Sequence, residues 1–176
     1  MGNWYANITL RGPSQASVIA ALRDMRRTAF VSSDESGHVV VYESRCRAMD
    51  GEVSEELAEK LTERFECPGL IALNADDDVL WLCLYDRGER IAEYDSSSPS
   101  RAGARAICYG LGRKAAVPVL WIILQAPLVF EVWRHMLICR ALGLPRDLCI
   151  YGYPGDDDGA LLPGVPEEVF RATQVD

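Results

Sequence analysis

The chain has 176 residues, of which 49% are hydrophobic and 25% charged, a composition that excludes a disordered chain. A chain of this length buries ~70% of its unfolded surface, so it needs no disulfide or metal for stability and is expected to form one compact domain. The net charge of −8 belongs to residues 1–100, since residues 101–176 are neutral. An acidic surface repels phosphate groups, which argues against nucleic-acid and anionic-membrane partners.

The first 65 residues predict a strand, a helix, a hairpin and a second helix. Apolar and polar residues alternate over Trp4–Arg11, as in a strand with one buried face. Ser14 suits the N-cap of a helix whose apolar residues recur at helical spacing. Two short strands, 28–31 and 38–43, flank a polar turn. The second helix follows Gly51 and has an acidic outer face.

Residues 70–96 predict three antiparallel strands joined by polar turns. The middle strand, Val79–Tyr85, is apolar at every position, so both of its faces need cover. Its three leucines point to one side, and Trp81 and Tyr85 point to the other. Trp81 is therefore expected in the core. The sequence leaves open which of the two sets faces the first two helices.

The order β-α-β-β-α-β over residues 4–74 predicts an α+β fold with a ferredoxin-like antiparallel sheet. Right-handed crossovers would place both helices on one face of this sheet. The last two strands of the meander form a hairpin that extends the sheet. The first part of the chain, 1–96, is thus the sheet portion, and residues 97–176 are a mostly helical portion packed on it.

The serine-rich stretch Ser96–Ser100 is the clearest linker, and the pattern after it is helical. The elements predicted beyond it are a helix at Ala102–Leu111, a short buried helix or a strand at Val119–Leu124, a helix from Pro127, a strand at Leu148–Tyr151 and a helical turn at Pro166–Ala172. The apolar run 115–130 has 16 residues and two prolines, against the ~20 apolar residues that span a bilayer. It is therefore interpreted as buried core, without a membrane role.

Cysteines, aspartates and histidines do not form a recognisable metal or cofactor motif. No two of the six cysteines lie closer than ten residues, which excludes C-x-x-C pairs. The runs Asp76–Asp78 and Asp156–Asp158 lack the ligand spacing of a calcium loop and fit exposed turns. Gly110-x-Gly112-x-x-Ala115 lacks the preceding strand of a dinucleotide fingerprint and fits a helix end. We expect no metal and no cofactor.

The thiols and the N-terminus indicate the compartment. The first residues lead directly into a strand, without the pattern of a secretory signal peptide. We therefore expect a cytoplasmic protein with six free thiols, because the cytoplasm is reducing.

The mixed face of the first strand is the main candidate site. It presents polar and aromatic side chains that either lie covered under residues 101–176, with internal hydrogen bonds, or line a ligand cleft. Aromatic sheet faces stack bases in RNA-recognition modules, but the third strand lacks their pattern. The candidate ligand-binding residues are Tyr5, Asn7, Arg11, Tyr42, Tyr85 and Arg134.

Two functions are compatible with this sequence. The first is a non-catalytic, acidic, cytosolic interaction protein of the accessory, inhibitor or immunity type, which binds a protein partner; the acidic charge favours a basic one. The alternative is a small-molecule-binding protein or enzyme with a cleft between the sheet and the C-terminal helices. Catalytic motifs such as Gly-x-Ser-x-Gly are absent, which favours a protein without catalysis. Oligomeric state is not determined by the sequence.

Overall fold

The computed structural model describes residues 2–48, 51–153 and 174–175. The strands in these ranges are β1 (Tyr5–Arg11), β2 (Ala29–Val31), β3 (His38–Glu43), β4 (Pro68–Ala75), β5 (Val79–Asp86), β6 (Glu89–Asp95) and β7 (Gln174–Val175). The helices are α1 (Gln15–Asp24), α2 (Gly51–Phe65), α3 (Arg101–Gly110), α4 (Val117–Gln125), α5 (Glu131–Leu142) and α6 (Arg146–Cys149). The α+β class predicted from the sequence is confirmed.

A single antiparallel sheet joins these strands in the order β6-β5-β4-β1-β3-β2-β7. Near its middle, Ile8 of β1 lies opposite Val41 of β3 on one side and Ile71 of β4 on the other. Branched apolar residues at such positions pack well on a pleated surface, which explains why these segments form the central strands. The element order predicted up to β6 is confirmed.

Both faces of the sheet are covered, as the apolar pattern of β5 predicts. One face packs against α1 and α2, in a core that includes Leu22 and Leu61. The other face packs against α3 to α6, which cover Leu80, Leu82 and Leu84. The leucines of β5 therefore face the later helices, and this resolves the orientation that the sequence left open. Residues 101–149, which form α3 to α6, are called the helical layer below.

Local sequence signals fix several helix ends. The Ser14 side chain accepts a hydrogen bond from the Ser17 amide at the start of α1, as the sequence predicts. Ser100, at the end of the predicted linker, caps α3 in the same way through the Gly103 amide. Gly143 ends α5 with a left-handed φ of 69°, a conformation that costs glycine little.

Trp81 is not a core residue, contrary to the prediction. Its side chain is half-buried at the edge of the core under α2, and its indole N–H donates to Glu93 of β6 at 2.7 Å. An indole needs a partner for its N–H group, and the neighbouring strand supplies one at the surface.

Two elements of the helical layer differ from the prediction, and a third, which the sequence left open, is now assigned. Val119–Leu124, left open between helix and strand, is part of helix α4, whereas the helix expected from Pro127 begins only at Glu131. The strand expected at Leu148–Tyr151 is wrong, because the amides of Leu148 and Cys149 both donate to Pro145 in a helical turn. The helical turn expected at 166–172 lies outside the described residues.

Leu82→Ala is expected to lower the free energy of unfolding by about 2–5 kcal/mol, because it leaves a cavity between β5 and the helical layer. Leu82 is fully buried there. Val79→Ala is the matched control, since Val79 on the same strand is exposed and should cost under about 1 kcal/mol. Urea denaturation of both variants measures the difference. Equal losses would show that the leucine face of β5 is not the core.

Candidate functional site

The polar side chains of β1 and β3 attach the helical layer to the sheet. Asn7 donates its amide to the carbonyl oxygens of Cys149 and Tyr151 at 2.6 and 2.8 Å. The Tyr42 hydroxyl donates to the carbonyl oxygen of Leu148 at 2.8 Å. All three acceptors lie in or just after α6. The mixed face of the first strand is thus covered, and these polar groups bind backbone carbonyls of the same chain.

Tyr5 and His135 form a buried pair between β1 and α5. The tyrosine oxygen lies 2.8 Å from Nδ1 of the imidazole, and the two rings are stacked with centroids 5.7 Å apart. Burial lowers the pKa of His135 to about 4, because an apolar site disfavours the charged imidazole. Burial also raises the pKa of Tyr5. Both side chains are therefore neutral at pH 7, and the hydrogen bond joins two uncharged groups.

Arg134 joins α4 to α5. Its guanidinium group is buried, and Nε donates to the Glu131 carboxylate at 2.7 Å. One terminal nitrogen donates to the carbonyl oxygens of Ile123 and Leu124 at 2.7 and 3.0 Å. These carbonyls belong to the last turn of α4, where a cation also interacts favourably with the helix dipole. Arg134 thus sets the position of α4 on α5.

The other two candidate residues lie elsewhere. Arg11 is exposed at the end of β1 and donates to the carbonyl oxygen of Leu111 at 2.7 Å. Tyr85 lies on the face that packs against α2, where its hydroxyl donates to Glu55 at 2.8 Å. Tyr85 therefore does not lie between the sheet and the helical layer, where a candidate cleft residue was expected. Side chains alternate along β5, and the leucines face the helical layer instead. The six candidate residues do not converge on one described cleft.

Asp77, in the turn between β4 and β5, has a structural role. Its carboxylate accepts hydrogen bonds from Asn3, from the Asn74 side chain and from the Val132 amide at the start of α5. Burial raises its pKa, but these hydrogen bonds outweigh burial and the pKa is lowered. In the described part of the chain, no group of three His, Cys, Asp or Glu side chains could hold a metal. The run Asp156–Asp158 is outside it.

The cysteines and the glycine motif Gly110-x-Gly112 also have structural roles. Gly110 ends helix α3 and Gly112 follows it with a φ of 68°, as predicted for a helix end. All six cysteines are buried free thiols. Burial raises the pKa of Cys46 to about 12 and that of Cys67 to about 11, so these thiols are not nucleophiles at pH 7.

Six exposed apolar side chains of the helical layer lie on α4, on α5 and in the loop that joins them. We call this set the apolar surface: Val119, Ile122, Val129, Phe130, Trp133 and Leu137. Ile122 is 68% exposed, Val129 76% and Trp133 53%. The sequence interpretation of residues 115–130 as buried core is therefore wrong for one face of α4, whose buried contacts come from Leu120 and Leu124. Helix α4 is apolar on nearly all sides, so periodicity could not separate its two faces.

The apolar surface does not indicate a transmembrane segment. Within the described ranges, every helix is too short or too polar to cross a bilayer.

Two adjoining clefts border α3. One, of about 600 Å³, is lined by residues of β6 and α3, including Ile91, Arg101 and Arg105. The other, of about 610 Å³, lies between the ends of β1, α2 and α3 and includes Arg11. Both are lined by Tyr109 and Gly110. Neither cleft is apparent from the sequence, because both depend on how α3 packs against the sheet edge.

Comparisons with family models, with curated proteins and with solved structures give no match for this chain.

His135 makes folding stability depend on pH. Its pKa is about 4 in the folded protein against 6.5 ordinarily, so the unfolded chain binds the proton more tightly. The contribution of neutral His135 to the free energy of unfolding is fully present above pH 6.5. It is lost as the pH decreases toward 4, and about 2 kcal/mol is lost between pH 7 and 5. Urea denaturation of the wild type and of His135→Gln at pH 7 and pH 5 measures this decrease in the free energy of unfolding. The variant should lose most of the decrease and retain the part due to His38, whose pKa burial also lowers. An unchanged decrease in the variant would contradict the assignment.

Arg134→Ala is expected to lower the free energy of unfolding by about 3–5 kcal/mol, since it leaves the buried Glu131 carboxylate and two α4 carbonyls without their donor. Arg140→Ala on the exposed side of the same helix is the control and should change stability by less than about 0.5 kcal/mol. Thermal and urea unfolding of both variants give the comparison. A loss of under 1 kcal/mol for Arg134→Ala would show that α4 is held by apolar contacts alone.

Proposed function

We propose that this chain is a non-catalytic interaction protein whose apolar surface binds a protein partner. The observation that supports this most directly is the number of exposed apolar side chains, since four large ones lie on two helices that pack together and two more lie in the loop between them. Large apolar patches are rare on monomeric proteins and mark sites that bind something. Trp133 and Phe130, which contact each other edge to face, are the kind of aromatic anchors that dominate interface energetics.

The scaffold that carries the apolar surface is an α+β unit. We propose that residues 5–75 have the ferredoxin-like arrangement, an assignment supported by the strand order β4-β1-β3-β2 and by the packing of α1 and α2 in one core. A cytoplasmic location is proposed as well. It is supported by six buried free thiols, which a reducing compartment preserves.

The acidic face of α2 offers a second route to a partner, but a weaker one. A basic protein would meet this face, as the net charge of the chain suggests. Two of its glutamates are already engaged, since Glu56 pairs with Lys60 and Arg27, and Glu55 accepts from Tyr85. Exposed ion pairs of this type contribute little to binding, so the apolar surface is the better-supported docking site.

The alternative function, a small-molecule site between the sheet and the helical layer, has less support. Five of the six candidate residues are buried and hydrogen-bonded to groups of the chain itself. A ligand at that junction would have to displace these bonds and part of a filled apolar core.

Ile122→Ser combined with Trp133→Ser should weaken partner binding at least tenfold. Both side chains are exposed in the free protein and become buried only in the complex, so their loss affects binding and not folding. The measurement is quantitative capture from the native host with wild type and variant, followed by titration of the captured protein. Trp4→Ser is the matched control, since Trp4 is 62% exposed outside the helical layer. All three substitutions to serine leave the net charge unchanged.

Two results would refute the proposal. One is equal binding of the partner by wild type and the double variant. The other is concentration-dependent dimerisation of the wild type in sedimentation equilibrium, abolished in the double variant, which would assign the apolar surface to a second copy of the chain.

A further inference from the structure

The helical layer has a charge opposite to that of the rest of the chain. Residues 101–149 contain seven Lys and Arg residues but only two carboxylates, whereas residues 1–100 have a net charge of −8. The two carboxylates, Glu131 and Asp147, are already paired with Arg134 and Arg146. Five cations of this stretch have no ion pair within the described residues: Arg101, Arg105, Arg113, Lys114 and Arg140.

Three of these cations lie in or beside the two clefts that border α3, which together we call the α3 groove. Arg101 and Arg105 line its first half. At its centre is Tyr109, which is 45% exposed. The Arg105 guanidinium carbon lies 5.2 Å from the centre of the Tyr109 ring, and the Lys114 ammonium lies 5.1 Å from it. Cation–π contacts of this length hold both charges beside this ring, which lines both clefts.

We propose that the α3 groove binds an extended acidic segment of the protein partner. Arg101 and Arg105 lie one turn apart on α3, about 6 Å along its axis, which matches the spacing of alternate side chains on one face of an extended chain, and Lys114 lies just beyond the end of the helix. This spacing fits carboxylates distributed along a peptide rather than a single phosphate, which needs donors that converge on one point. Apolar contacts are available between the charges, at Ile91 and Tyr109.

Nucleic acid fits the same groove less well. The overall charge of −8 repels a long phosphate backbone outside the groove, but it does not prevent a short acidic segment from binding inside it. Glu66 lines the far cleft together with Arg11, so the acidic residues of the segment are expected opposite Arg101, Arg105 and Lys114 instead.

The inference rests on the proposed function, because the acidic segment belongs to the partner that binds the apolar surface. Helix α3 packs directly against α4, so the α3 groove and the apolar surface belong to one continuous layer. A partner that combines an apolar face with an adjacent acidic strand would contact both.

Fluorescein-labelled hexaglutamate, followed by fluorescence anisotropy, tests the α3 groove directly. We expect binding that weakens several-fold between 50 and 200 mM salt, as charge pairing requires. Arg105→Glu with Lys114→Glu should weaken it at least tenfold. The control, Arg23→Glu with Arg45→Glu, makes the same charge change at exposed cations outside the helical layer and should retain binding to within about twofold, with circular dichroism to verify folding.

Three results would overturn the inference. The inference is refuted if hexaglutamate does not bind at low salt. It is also refuted if the control variant loses as much affinity for hexaglutamate as the groove variant. A hexathymidylate oligonucleotide that binds more tightly than hexaglutamate would assign the groove to nucleic acid. The Ile122→Ser, Trp133→Ser variant separates this inference from the proposed function, since it should bind hexaglutamate normally. If it loses the partner while the groove variant does not, only the acidic-segment inference fails.

Discussion

The central constraint on this structure is a sheet that is apolar on both faces. Val39 and Val41 of β3 pack toward α1 and α2, while Val40 and Tyr42 pack toward the helical layer. A sheet of this kind is stable only when helices cover both sides. Helices α1 and α2 supply the cover of one face, and α3 to α6 supply the cover of the other.

Directional bonds determine how the second cover is seated. Asn7, Tyr42 and Tyr5 reach it from the sheet, and Asp77 reaches it from the turn between β4 and β5. Apolar burial by itself tolerates sliding of one layer on another, whereas a buried hydrogen bond that is lost costs ~1–3 kcal/mol. These contacts position α5 and α6 on the sheet, and Arg134 then positions α4 on α5.

Much of the fold could be predicted from the sequence, but less of the site. Alternation in β1 and the polar turns after β4 and β5 are local signals, so strands and order were predictable. The apolar face of α4 was not, because its composition is nearly uniform and only tertiary packing decides which side is buried. The basic character of the helical layer was hidden as well, since acidic residues after 153 balance its charge in any count over 101–176.

The leucine face of β5 has a consequence for biosynthesis. Its cover comes from α3 to α6, which follow β6 in the sequence and end at Cys149. A ribosome adding about 5–20 residues per second leaves Leu80, Leu82 and Leu84 without that cover for several seconds, while the sheet can already pair its first strands. An uncovered apolar sheet is prone to aggregate, so the nascent chain is most vulnerable during that interval.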